Sequence, residues 1–378
     1  MTLRKNLAEP IHIGNLDLKD RVVLAPLTRY RAHDDHVPSD LNVEYYSQRA
    51  SVPGSLLITE GTFPSPRGGG YANVPGIYNE AQIKGWKKVT DAVHAKGCFI
   101  FCQLWGLGRV ADPKELAKEG NYPLVSSGDI PFPADGTGTV PQPLDEAGIQ
   151  QFIDEYAQAA KNAIAAGFDG VEVHSGNGYL LDQFLQSNSN NRTDRWGGSI
   201  ENRARFGLEV TKKVVQAVGP KRTGFRISPW GRFQGMRMKT DELRSQFTYL
   251  VEHLKAFGLA YLHIVEPRVS GIFDVTPDSP SDSNDFLIDT FSGVVILAGG
   301  FKPESADAAV AAERARGHSN IAIAFGRFYI SNPDLVYRAI HGVPFTPYNR
   351  DSFYIPQSPV GYTDYAFSDA YLQAKAAL

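Results

Sequence analysis

Gly170-Val171-Glu172-Val173-His174-Ser175-Gly176-Asn177-Gly178-Tyr179 reads as a β-strand that ends in chemistry. Val171 and Val173 alternate with Glu172 and His174, the period-two pattern of a strand with two different faces. Gly176 and Gly178 then break the strand, so an imidazole, a carboxamide and a phenol arrive at one mouth. Two hydrogen-bond donors beside a proton donor suit a substrate whose carbonyl is polarised while a neighbouring carbon is protonated. The plainer reading is a loop histidine with satisfied bonds and a packed tyrosine, and the run alone does not choose between them.

Outward from this strand, short apolar runs recur, each closing in small or polar residues: 22–27, 56–60, 98–104, 170–174, 224–228, 259–265, 294–298 and 321–325. Between most of them lie segments of three-to-four periodicity at 79–96, 145–166, 200–218, 240–257, 303–316 and 332–340. Strands that look buried on both faces and alternate with helices imply a parallel sheet. Eight such units point to closure into a (β/α)₈ TIM barrel, a single domain over residues 1–378. The competing architecture, an open doubly wound sheet, lacks a Gly-x-Gly-x-x-Gly turn after the first strand. Thr240 is the expected N-cap of its helix and Gly258 its stop, Asn332-Pro333 has the order of a helix start, and Gly97 and Gly167 end helical runs. An N-terminal β-hairpin is expected at 11–19 around Gly14-Asn15, as a plug for one barrel end. Long loops follow the third and sixth strands at 106–142 and 268–285; loops of that length overhang active sites.

Composition narrows the function classes. Over 378 residues, 42% are hydrophobic and 21% charged, an ordinary globular mix, and the net charge of −3 without any Lys/Arg run argues against nucleic acid as a partner. Cys98 and Cys102 lie four residues apart in Cys-Phe-Ile-Phe-Cys. On a strand they share a face at roughly 13 Å, too far to bridge, so they are expected as reduced thiols, with no metal site. The first ten residues lack the apolar core of a signal peptide, and no stretch approaches a membrane span, so the expected setting is cytoplasmic, without membrane contact.

In a barrel, the C-terminal strand ends line the active site. Those ends are Pro26-Leu-Thr28, Glu60-Gly61, Gln103-Leu-Trp105, His174 with Asn177, Arg226, Glu266, Gly299-Gly300 and Gly326-Arg327. The two glycine turns close the seventh and eighth strands, the usual place of a barrel phosphate site, where glycine amides approach closely and an arginine adds charge. Each turn alone is only a tight turn; the pair is more specific. Gln103, Thr28 and Arg226 would surround a planar ring, the arginine stabilising charge that develops on reduction. Alternatively, Arg226 only pairs with Glu172 or Glu60 inside the barrel.

Several of these stretches carry a resemblance. Residues 23–32 (Val-Leu-Ala-Pro-Leu-Thr-Arg-Tyr-Arg-Ala), 60–62 (Glu-Gly-Thr), 103–105 (Gln-Leu-Trp), 174–185 (His-Ser-Gly-Asn-Gly-Tyr-Leu-Leu-Asp-Gln-Phe-Leu), 191–206 and 326–335 resemble the old yellow enzyme family, most closely its fungal and plant branch. The similarity runs from about Ile11 to about Tyr365. It implies an ene-reductase: an NAD(P)H:acceptor oxidoreductase with tightly but non-covalently bound FMN, NADPH or NADH as co-substrate, and an enone or enal as acceptor. By the same resemblance Thr28 bonds the flavin O4, Pro26, Gly61 and Gln103 line the ring, and Arg226 faces its N1–O2 side. Gly299, Gly300, Gly326 and Arg327 hold the phosphate. His174 and Asn177 bind the substrate carbonyl, Tyr179 gives the proton, and Trp105, Phe273 and Tyr354 shape the substrate pocket. Relatives with another residue at the Tyr179 position can isomerise, and relatives include monomers and homodimers. Trp196 stands where many relatives have Tyr, a change expected to affect packing. The charges of 191–206 are expected to fix the loop and helix after the fourth strand.

Two other classes compete. A barrel glycosidase would need Glu172 to face Glu266 or Glu60 across roughly 5–9 Å; Glu172, two residues inward from the strand tip, is expected to point into the barrel core. A specialised pathway flavoprotein, acting as an isomerase or on one dedicated enal, is the alternative within the flavin reading.

Overall fold

The computed structural model describes residues 3–133 and 135–377. Eight parallel strands close into a barrel: β1 (Val22–Leu24), β2 (Leu56–Ile58), β3 (Phe99–Leu104), β4 (Gly170–Ser175), β5 (Thr223–Ile227), β6 (Tyr261–Val265), β7 (Val295–Ala298) and β8 (Ile321–Phe325), each beside its chain neighbours, with β8 against β1. The run at 321–325 coincides with β8, and the others agree within a few residues. Alternation sorts the side chains. Val23, Leu56, Ile58, Phe101, Tyr261, Ile296, Ala322 and Ala324 fill the interior as one cluster. Leu57, Ile100, Cys102, Val171, Val173, Phe225 and Ile264 pack outward, in the cluster that the helices share. Both cysteines are buried on that outer side and unbridged.

The antiparallel hairpin Ile11–Ile13/Leu16–Leu18 seals the bottom, since Ile11, Ile13 and Leu18 join the interior cluster. Its turn needs Gly14: φ is +63°, and a Cβ there would lie 2.1 Å from the Lys221 carbonyl oxygen.

The outer ring consists of α1 (Asp40–Arg49), α2 (Glu80–His94), α3 (Glu146–Ala165), α4 (Ile200–Val218), α5 (Thr240–Ala256), α6 (Asp285–Phe291), α7 (Pro303–Ala315) and α8 (Leu335–His341). The α4 bounds coincide with the expected 200–218. Local chemistry sets the ends: the Asn79 side chain accepts from the Gln82 amide at 2.9 Å, and the Gln82 side chain accepts in return from the Asn79 amide at 3.3 Å. Gly97, Gly167 and Gly258 follow helices at positive φ, as left-handed stops.

Four expectations need correction. Thr240 is the first helical residue of α5, and Lys239 takes the N-cap without a side-chain bond. Asn332-Pro333 does not begin α8, which starts at Leu335; the Asn332 side chain instead closes the short helix Arg327–Ser331, its Nδ2 donating to the Phe328 carbonyl at 2.7 Å. The periodicity reading passed over α1, whose buried face is Asn42, Tyr45, Tyr46 and Arg49 and so carries no apolar stripe. It also passed over α6, seven residues long, too short to show a period.

The loop after β3 has structure of its own. It contains the helix Pro113–Gly120 and a two-residue strand Val125–Ser126 paired with Gln142–Pro143. The loop after β6 folds into a small hairpin, Val269–Ser270 against Phe273–Asp274. In the 191–206 block, Arg192 binds Asp194, Arg203 binds Glu242 on α5, and the buried Trp196 indole donates to Glu146 at 2.6 Å. That block fastens α4 to α3 and α5, as its charges suggested. Among the described residues, no helix is long and apolar enough to cross a membrane.

Candidate functional site

At the C-terminal ends of the strands lies a cavity of about 750 Å³, within the size range of cofactor and substrate sites. Its wall includes Pro26 and Thr28 after β1, Gln103 and Trp105 from β3, His174, Asn177 and Tyr179 after β4, and Arg226 from β5. Gly299 and Gly300 after β7, and Gly326 and Arg327 after β8, also line it, as does Tyr354 from the C-terminal segment. Thirteen positions, spread from Pro26 to Tyr354, thus meet at one place, because parallel strands all point the same way.

Two expected residues stand off the wall. Gly61 is packed behind Trp105: a Cβ there would lie 2.3 Å from the indole Cε3. Phe273 sits on the small hairpin at 55% exposure, while its neighbours Ile272 and Asp274 face the cavity. Sequence reading in turn missed Tyr30, Tyr71, Arg268, Phe301 and Lys302. Lys302 follows the Gly299-Gly300 turn by two residues, a signal that was present in the sequence. Arg268 and the two tyrosines come from loops whose direction no periodicity reveals.

The turn after β4 is built to present side chains. Asn177 (φ +56°) and Gly178 (φ +77°) both adopt left-handed conformations. The Asn177 amide donates to the Ser228 hydroxyl at 2.6 Å, and the Gly178 amide to the Asp182 carboxylate at 2.8 Å. Gln183 donates to the Gly178 and Leu107 carbonyls at 2.8 and 3.0 Å. These bonds join the turn to the loops after β3 and β5, so Asn177 and Tyr179 stand on a braced support. The His174 and Tyr179 ring centroids are 5.7 Å apart, and the Trp105 indole meets Tyr179 edge-on at 4.7 Å.

Electrostatics settle the protonation states. Burial, then repulsion from Arg226 and His263, pushes the His174 pKa well below its ordinary value, so at neutral pH it is an uncharged imidazole. Burial, then the neighbouring Tyr71 and Tyr30, pushes Tyr179 well above 10, so it keeps its proton. None of Glu60, Glu172 and Glu266 lines the cavity. Glu60 accepts from Asn42 and the Arg29 amide, Glu266 accepts from Asn284, and Glu172 lies fully buried within the barrel. That arrangement does not suit the glycosidase alternative.

The cavity has the donors for a planar, electron-poor ring with an anionic tail. The His174 Nδ1, Arg226 Nε and Trp105 Nε1 atoms are buried and have no protein partner; buried donors left in that state are meant for a ligand or cost stability. Arg226 forms no direct ion pair with Glu172 or Glu60 among the described residues. At the other end, Gly299 and Gly300 take positive φ, which exposes their backbone, and Arg268, Lys302 and Arg327 supply positive charge. Arg327 is also gripped by Asp274, with Nη1 donating to Oδ2 at 2.7 Å, and Arg268 donates to the Gly299 carbonyl at 2.7 Å while its Nη2 has no partner.

Gly61→Ala is expected to unseat Trp105. The methyl group cannot share space with the indole, so thermal unfolding should reveal a loss of about 1–3 kcal/mol, typical of overpacking. An unchanged melting temperature would mean that the ring has room to move.

The sequence profile of the NADH:flavin oxidoreductase / NADH oxidase family matches residues 6–345. Chanoclavine-I aldehyde reductase of Penicillium roqueforti is 54% identical over 370 residues, covering 97% of this chain and 98% of that protein. A probable inactive reductase of Epichloe festucae var. lolii is 47% identical over 372 residues, covering 97% and 96%. Among solved structures, the old yellow enzyme from Pichia sp. AKU4542 superposes with a TM-score of 0.87 at 41% identity, over 96% of this chain and 94% of that one. The chain therefore belongs to the NADH:flavin oxidoreductase / NADH oxidase family, flavin oxidoreductases of the old yellow enzyme type that carry FMN and take electrons from a reduced nicotinamide.

Proposed function

We propose that this protein, as one flavin-binding barrel domain, reduces the activated C=C bond of an α,β-unsaturated carbonyl compound. The observation that carries the reading is the pairing of two neutral donors, His174 and Asn177, with the protonated phenol of Tyr179 in one cavity. FMN, when bound, would supply the hydride chemistry, with a reduced nicotinamide as the source of electrons and the β-carbon of the acceptor as their destination. Pro26, Thr28, Gln103 and Arg226 would hold its ring, and Gly299, Gly300, Gly326, Arg268 and Arg327 its phosphate. His174 and Asn177 donate to the carbonyl oxygen and so draw the negative charge that arrives on the substrate toward that oxygen. Tyr179 then places its proton on the α-carbon, and the substrate leaves with one hydride and one proton added. Trp105 and Tyr354 bound the space in which the acceptor lies.

The name of the Penicillium relative favours an aldehyde, hence an enal, as the acceptor. It leaves open which bond is reduced. Product analysis decides. Turnover of an enal with a 4-deuterated nicotinamide should give the saturated aldehyde with deuterium at the β-carbon. An allylic alcohol deuterated at C1 would show carbonyl reduction and sink the proposal. The name of the Epichloe relative favours a second reading, a family member that no longer reduces. The presence of Tyr179 speaks against it, and the same assay would reveal it as absence of either product.

A further inference from the structure

Below the mouth of the barrel, in a layer of buried side chains, two ionisable ones, Glu172 and His263, have no part in the chemistry above. Glu172 is fully buried, and its two oxygens are taken: Oε1 accepts from Gln103 Nε2 at 2.7 Å, and Oε2 pairs with His263 Nδ1 at 2.8 Å. Strand register sets the layer. Gln103 on β3 lies opposite Glu172 on β4, while Arg226 on β5 lies between His174 on β4 and His263 on β6. Burial lowers the pKa of both histidines, and Arg226 adds repulsion. Burial would raise the Glu172 pKa, but His263, Arg226 and Gln103 outweigh it, so the carboxyl stays below its ordinary range. The layer therefore holds one anion, Glu172, and one cation, Arg226, without direct contact between them. Such a carboxylate is costly to bury, and hydrophobic residues fill the rest of the interior well.

We propose that Glu172 is a positioning residue that sets the reduction potential of the bound flavin, by offsetting the charge of Arg226 from below and by orienting the Gln103 amide. This rests on the reading that Arg226 faces the flavin ring. Electron density that enters the ring on reduction is stabilised by Arg226 and opposed by Glu172; low-dielectric surroundings make both effects strong. Glu172 keeps the flavin reducing enough to give hydride away.

The test is a spectroelectrochemical titration of the FMN-loaded protein. Glu172→Gln keeps the shape and an acceptor but removes the charge. It should shift the flavin reduction equilibrium at least tenfold toward the reduced form, about 30 mV more positive for a two-electron couple. Glu172→Asp, which keeps the charge, should stay nearer the parent potential than Glu172→Gln. A Glu172→Gln potential that is unchanged or more negative overturns the inference. Should Glu172→Gln not fold, His263→Gln carries the test. His263 helps to keep Glu172 ionised, so its replacement should move the potential in the positive direction, as Glu172→Gln does; an unchanged or more negative potential would overturn the inference too. Arg226→Gln separates this failure from failure of the site reading. If it makes the potential more negative while Glu172→Gln does nothing, only the role of Glu172 falls; if neither variant moves the potential, Arg226 does not face the ring.

Discussion

Tyr179→Phe is expected to slow alkene reduction by about 10²–10⁴-fold, the usual loss when a positioned proton donor is removed. Flavin content and oxidation of the nicotinamide should stay at parental levels, because neither needs the phenol proton. Rapid mixing separates the half-reactions: flavin bleaching by NAD(P)H unchanged, flavin reoxidation by an enal slowed. The fold should tolerate the change, since Tyr179 is held by edge-on packing against Trp105 and by its backbone, and Phe retains both. The pH profile adds a second readout. With the Tyr179 pKa well above 10, the phenol does not ionise in the working range, so an alkaline limb near pH 8–9 should persist in Tyr179→Phe if the parent shows one. Reoxidation by the enal at the parent rate would remove Tyr179 as the proton donor.

His174→Ala and Asn177→Ala are each expected to cost about 10²–10³-fold in the reaction with the acceptor, on the order of 3–4 kcal/mol, by analogy with the loss of one oxyanion-hole donor. The double variant should fall short of the product of the two, since both donors serve one oxygen. Unlike Tyr179→Phe, these variants should also weaken nicotinamide binding, because a nicotinamide carries a carbonyl of its own and must reach the same wall. His174 is neutral through the physiological range, so acceptor binding should show no transition at the ordinary histidine pKa of 6.5. A transition there that vanishes in His174→Ala would mean that the imidazole binds as a cation. An acceptor rate within about threefold of the parent in both single variants would remove the polarising role.

Much of the fold was legible because a barrel strand announces itself locally. An apolar run of five to seven residues between helical segments is visible without knowing what it touches, and β8 and α4 were bounded to the residue. Helix α1 escaped for the opposite reason. It buries Arg49 and Asn42, whose partners are carbonyls and a carboxylate far along the chain: Arg49 donates to Tyr362 at 3.0 Å, and Asn42 to Glu60 at 3.1 Å. A polar buried face has no hydrophobic period, so only its partners mark it as buried. Gly61 and Phe273 show the same limit at the site. Phe273 lies between the wall residues Ile272 and Asp274, because a hairpin turns one residue in and the next out, whereas Gly61 follows a strand whose tip stays behind the Trp105 ring.

The residues themselves determined the order of strands and helices, the polar tip at His174, Asn177 and Tyr179, and the glycine turns after the last two strands, because each depends on neighbours within a few positions. Tertiary structure alone decided which donors were left without partners, that Trp105 stands against Gly61, and that Glu172 turns to Gln103 and His263 rather than to Arg226. The reason is physical: propensity and alternation act along the chain, whereas burial, hydrogen-bond satisfaction and the balance of charge in a closed barrel exist only once strands remote in sequence stand about 5 Å apart.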